Sequence, residues 1–272
     1  MDLATVIGLL LAWGAVFTSL ALEGGSLKEM FNLPALILVT FGTIGATLIG
    51  SSMKTIFSLP SIVKNAMIQR ELNPSEVIDN LVEFARMARR DGVLALENAS
   101  RQIENKFMQK GIELVVDGIP SVMVREIMET EIVAMQERHK VGETVFATLG
   151  GFSPTLGIIG TIIGLISMLA KLSEPGKMGH AIAGAFVATL YGVAFANLIY
   201  LPIAAKLKSK TSEEVVTYEM IIEGVLSIQA GDNPRIVETR MMAYLSPELR
   251  NKRGAMPPKH MNIIEDEDLL AA

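Results

Sequence analysis

The chain has 272 residues, half of them apolar, with 19% charged residues, a net charge of −5 and a mean hydropathy of +0.41. That is greasier and less charged than a soluble domain of this length, and a mildly acidic chain gives no reason to expect nucleic acid. It has no cysteine and three scattered histidines (His139, His180, His260), which excludes a disulfide framework, a thiolate nucleophile and a Cys- or His-based metal centre.

Four uncharged runs follow in chain order: Leu3–Leu22 (20 residues), Met30–Met53 (24), Thr144–Ala170 (27) and Met178–Ala205 (28). About 20 apolar residues span a bilayer core, so each run reads as a transmembrane helix. The first begins with Asp2 and lacks both a basic leader and an A-x-A cleavage site, so it reads as a retained span. The short connections after the first and third runs hold Lys28, Lys171 and Lys177. The opposite side holds Lys54, Lys64, Arg138, Lys140, Lys206, Lys208 and Lys210. The positive-inside rule places that richer side, with both termini, in the cytoplasm.

The insert at 54–140 carries 12 basic and 13 acidic residues, interspersed. Asn73-Pro74-Ser75-Glu76 predicts a helix start, with Asn73 as cap and Glu76 reaching back as in a capping box. The helix then runs to Gly92 with Val77, Leu81, Phe84, Ala85 and Ala88 on one stripe. A second helix is expected over 93–107. After the Gly118-Ile119-Pro120 turn, a third starts at Ser121 and runs toward the third span. Beyond the fourth span, 212–229 is amphipathic, Asn233-Pro234 restarts a helix, and the chain from Asn251 reads as disordered.

The expected fold is therefore an all-α integral membrane protein with four transmembrane helices and a helical cytoplasmic domain between helices 2 and 3. Its parts are a hairpin (1–53), the cytoplasmic helical domain (54–140), a second hairpin (141–206), C-terminal cytoplasmic helices (207–250) and a tail (251–272).

No Walker A, G-x-S-x-G or H-E-x-x-H motif is present, so the chain does not read as an enzyme and no cofactor is expected. No Asp, Glu, Lys or Arg lies in any of the four runs. Ion pathways ordinarily use an intramembrane ionisable group. Either the chain moves no ion, or another polypeptide supplies the carboxylate.

Gly157, Gly160 and Gly164 make a smooth strip on the third span, matched on the fourth by Ala181, Ala185, Ala188/Thr189 and Gly192. Thr161 lies nine residues before Ala170 and Thr189 nine after His180. At 1.5 Å per residue both hydroxyls fall roughly 14 Å below the outer surface, at one height. A ring of oxygens about a central helix fits this, and so does each threonine bonding back to its own i−4 carbonyl. Pro154 and Pro202 lie in the inner halves of their spans, as hinges or as ordinary membrane-helix prolines. Arg89, Arg90 and Glu97 flank Gly92 at a helix corner, where the pattern alone favours arginines complementing the helix dipole and an ordinary solvated glutamate over a functional cluster.

The layout, with ARRDGVLALE (88–97), SPTLGIIGTIIGL (153–165), VATLYG (187–192) and GDNPRIVE (231–238), resembles the MotA/PomA family of flagellar motor stator proteins over residues 1 to about 250. The resemblance implies five copies around two copies of a MotB/PomB-type one-span partner whose membrane Asp binds the ion. It also implies contact with the rotor protein FliG through charges, here Arg89 and Glu97 with Arg90 beside them, and it puts the family's two prolines on Pro154 and Pro202. In that reading the chain sits in the cytoplasmic (inner) membrane and forms with its partner a cation channel driving flagellar motility. Thr161, seven residues after Pro154, matches sodium-type members, whereas Ala188 before Thr189 departs from their paired threonines, so the expectation leans to Na⁺ over H⁺. The rival readings are an ExbB/TolQ-type energiser, which typically has three spans, and a non-conducting membrane scaffold.

Overall fold

A computed structural model describes residues 3–28, 30–53, 55, 59–62, 73–173 and 175–254. Every regular element among them is a helix. The chain divides into two compact units. One comprises Met1–Arg70 and Glu137–Thr211, the other Glu71–Gln136 and Ser212–Ala272.

In the first unit, α1 (Leu3–Leu22) and α2 (Leu33–Ile49) precede the long helix α6 (Ser121–Leu169), of which residues from Glu137 onward belong here, and α7 (Pro175–Phe195). Helix α2 has 17 residues, fewer than the 24-residue run from which it was expected. Asn32 accepts from the Ala35 amide and Pro34 fixes the first turn, so the helix cannot start earlier. Gly50 ends it before the polar Ser51-Ser52. Three helical runs among the described residues (Thr5–Leu22, Ser121–Leu169 and Met178–Gln229) are long and apolar enough to cross a membrane, with α2 a shorter apolar helix.

The helix expected to end near 206 instead continues. A five-residue π segment, Ala196–Tyr200, joins α7 to α8 (Leu201–Gln229) without a break. Pro202 lacks an amide hydrogen, so the i→i−4 ladder must change there, and the widened turn lies immediately before it. Asn197 Nδ2 donates to the Val193 carbonyl inside the altered stretch (2.9 Å). Pro154, by contrast, sits within an α6 that remains helical throughout. Val145, Phe146, Leu149 and Ala204 form a small apolar core with Ile44 and Tyr200 against it.

The second unit holds α3 (Pro74–Asp91), a 3-10 turn (Val93–Ala95), α4 (Leu96–Ser100), α5 (Lys106–Val116), the first part of α6, the rest of α8, α9 (Pro234–Met242) and α10 (Pro247–Gly254). The helix expected over 93–107 is two. The chain leaves helix after Ser100, whose hydroxyl bonds back to the Glu97 carbonyl (2.8 Å). It restarts where Asn105 caps the Met108 amide (3.0 Å). A local cap at each side outweighs the modest cost of interrupting a short helix. Asn73 caps α3 through the Ser75 amide (3.1 Å), and among the described residues Glu76 makes no bond back to complete the box.

The core of this unit interleaves the predicted stripe (Val77, Leu81, Phe84, Ala85) with Met108, Ile112, Val124, Met128, Met220, Ile221 and Val225. Arg125 on α6 meets Glu223 on α8 at 2.6 Å, and that hydrogen bond raises the Arg125 pKa. The expected tail begins too early. Asn251–Gly254 complete α10, and Arg253, only 11% exposed, donates to the Ser75 carbonyl (2.8 Å) and pairs with Asp79 (2.5 Å) and Glu238 (3.5 Å). The remainder of the expected tail, with Lys54 and Lys64 of the topology argument, lies outside the described residues.

Candidate functional site

Where α6 and α7 run side by side, their backbones nearly touch. A Cβ placed on Gly157 would lie 2.9 Å from the Ala188 carbonyl. On Gly192 it would lie 2.7 Å from the Ser153 carbonyl and 3.0 Å from Gly157 Cα. Gly160 faces Ala188 Cβ at 2.6 Å and Gly164 faces Ala185 Cβ at 2.6 Å by the same construction. The two small-residue strips anticipated from spacing are thus in contact, which is why four helix-weakening glycines are tolerated here.

That closeness brings Thr161 and Thr189 together. Their hydroxyls are hydrogen-bonded to each other. The carbonyls of Gly157 (3.2 Å) and Ala185 (3.0 Å) both lie within reach of the one hydrogen on Thr161 Oγ1, and Thr189 Oγ1 lies 3.5 Å from the Gly157 carbonyl. Four oxygens, two hydroxyl and two carbonyl, therefore share one small volume. Back-bonding to the preceding turn and pairing across the helices occur at once. Oxygens of both kinds are what replaces water around a desolvated alkali cation.

Two further polar side chains fix this arrangement. Ser153, fully buried, donates to the Gly192 carbonyl (2.9 Å). Tyr191 donates to the Met30 carbonyl and accepts from the Asn32 amide (3.2 Å), tying α7 to the start of α2. Sequence spacing does not single these out, because a serine beside a proline and a tyrosine in an apolar run are ordinary until their partners are known. A cleft of about 500 Å³ adjoins the same helices, lined among others by Leu38, Gly160, Gly164, Ala188, Lys171 and His180. Ile158, Ile159, Ile162 and Ile166 on α6 and Phe186 on α7 are exposed.

The corner in the second unit is built around Gly92, which ends α3 at φ +86°, a conformation that disfavours any side chain. Arg89 and Arg90 occupy the last turn of α3, where they complement the helix dipole. Arg90 pairs with its neighbour Asp91 (2.9 Å), and Glu97 with Arg101 one turn on (3.0 Å), all largely exposed. Among the described residues Arg89 has no ion-pair partner. No group of three or more His, Asp or Glu among those residues is placed to hold a metal.

Two family patterns match the chain: "MotA/TolQ/ExbB proton channel family" over residues 99–220 and "Motility protein A N-terminal" over residues 6–92. Motility protein A of Bacillus subtilis (strain 168) is 36% identical over 253 residues, 93% of this chain and 94% of its own length. Chemotaxis protein PomA of Vibrio alginolyticus is 37% identical over 246 residues, 90% of this chain and 96% of its own. Among solved structures, the C. jejuni MotAB structure superposes with a TM-score of 0.87 at 31% identity, covering 91% of this chain and 97% of that one.

Proposed function

Because this chain belongs to the motility protein A branch of the MotA/TolQ/ExbB family and is a membrane-embedded flagellar stator subunit, we propose that it walls a cation path completed by a partner's carboxylate. Four helices, α1, α2, the apolar part of α6 and α7, cross the cytoplasmic membrane with both termini inside. The second unit then faces the cytoplasm. A MotB/PomB-type one-span protein contributes the membrane Asp, and five copies of this chain surround two of the partner.

The observation that carries this reading is the oxygen cluster at Thr161 and Thr189, set in spans that hold no acidic residue. Hydroxyl and carbonyl oxygens can take over part of a cation's hydration shell, and a carboxylate from outside the chain supplies the ionisable group that such intramembrane pathways ordinarily use. Na⁺ is the preferred cation, since a proton needs no cage of neutral oxygens. The exposed isoleucines of α6 and Phe186 of α7 are the faces that the partner helix and neighbouring copies would cover. Cation passage past the pair drives rotation, and the corner at Gly92 pushes the rotor protein FliG through Arg89, Arg90 and Glu97. Pro154 and the π segment before Pro202 supply the points at which α6 and α8 flex.

The deciding experiment is swimming speed, in cells carrying this chain and its partner, measured against external Na⁺ and against pH. Speed that saturates with Na⁺ at constant pH supports the sodium path. Speed that follows pH alone assigns the path to protons, and conduction by this chain without any partner removes the borrowed carboxylate altogether.

A further inference from the structure

The corner carries a residue that the charge description leaves out. The 3-10 turn Val93–Ala95 is closed at one end by the Gly92 carbonyl accepting from the Ala95 amide (3.2 Å), and at the other by Leu96, which is wholly buried. Val93 also packs against the core. Between these two anchors Leu94 is 74% exposed. Single exposed leucines are commonplace on protein surfaces. This one differs in being held outward in a single tight turn, with the partly buried Val93 packed on the core before it and the buried Leu96 after it. Cationic residues (Arg89, Arg90) precede the turn and an anionic one (Glu97) follows it.

The flanking charges make a weak adhesive by themselves. Arg90 and Glu97 already have partners within the chain, and exchanging one exposed ion pair for another gains little. Such charges govern encounter and orientation. Interfaces keep their charges at the rim and place apolar surface at the desolvated centre. We propose that Leu94 is the apolar centre of the rotor-facing surface. It seats on a helix of the rotor protein that presents an apolar side chain between an acidic group, facing Arg89, and a basic group, facing Glu97. The proposal rests on the reading of this corner as the rotor contact.

The chain contains no cysteine, so Leu94→Cys provides a unique thiol for a photo-crosslinker in swimming cells. Arg89→Cys and Glu97→Cys calibrate it. The expected result is a covalent adduct with the rotor protein from position 94 at a yield at least equal to that from 89 or 97. Adducts from 89 and 97 but none from 94 would overturn the central role of Leu94. No rotor adduct from any of the three would instead remove the corner from the rotor interface, and the proposal with it. In a second arm, Leu94→Asp is expected to lose swimming while still co-purifying with the one-span partner, and Leu94→Met to swim as the parent does. A Leu94→Asp chain that swims at the parent's speed overturns the proposal.

Discussion

Thr161 and Thr189, 28 residues apart in sequence, meet hydroxyl to hydroxyl across α6 and α7, with the carbonyls of Gly157 and Ala185 beside them. The contact exists because Gly157 and Gly192 let the two backbones approach within a distance at which a methyl group would collide. Proposed chemistry and local packing are therefore the same feature seen from two sides.

Removing one hydroxyl separates them. Thr161→Ala should raise the Na⁺ concentration needed for half-maximal speed several-fold, since a net hydrogen-bonding oxygen is worth about 1 kcal/mol. Thr161→Ser, which keeps the oxygen, should stay near the parent. The measurement is a sodium titration of swimming, and an unchanged curve for the alanine chain takes Thr161 out of the pathway.

Close packing predicts a different outcome at the glycines. In Gly192→Ala the new methyl meets the Ser153 carbonyl and Gly157 Cα, both backbone, so the helices must separate. The cost should be about 1–3 kcal/mol, read as a lowered thermal midpoint of the purified complex. Gly8→Ala meets nothing within 4 Å and should leave the midpoint unchanged or raise it.

Charge reversal tests the corner. Arg89→Glu should reduce motility at a stability cost of only about 1 kcal/mol, because the exposed side chain loses no packing and only its favourable place at the C-terminal end of α3. Glu97→Lys sets a like charge against Arg101 one turn away, at a similarly small cost. Adding Arg101→Glu restores the helical pair. If motility stays low in that double variant while assembly is intact, Glu97 acts on an outside partner; recovery of motility would mean that the internal pair was all that mattered.

Arg253 anchors α10 to α3 and α9. Arg253→Ala should destabilise the second unit by about 1–2 kcal/mol, since it removes a mostly buried charged donor from two carboxylates that are each about a third exposed and from the Ser75 carbonyl. Thermal unfolding of the full chain measures this, and a midpoint equal to the parent's would show the ion pairs to be incidental.

The sequence alone determined the all-helical class, the caps at Asn73 and Asn233, the long apolar runs and the complementary small-residue strips, because those follow from periodicity, local capping and transfer free energy along a single segment. It also placed Thr161 and Thr189 at one height, since helical rise is fixed. Tertiary structure decided whether the two faced each other, as equal height leaves the helix rotation open until glycine contacts set it. Only the fold could find Ser153, Tyr191 and Arg253, whose partners lie 39, 161 and up to 178 residues away. The divided helix after Ser100, the unbroken passage through the π segment and the outward set of Leu94 were likewise decided by competition among neighbours. In the first two cases caps at Ser100 and Asn105 and the missing amide of Pro202 tipped a nearly even local balance, and at Leu94 the burial of Leu96 and the packing of Val93 on the core did so.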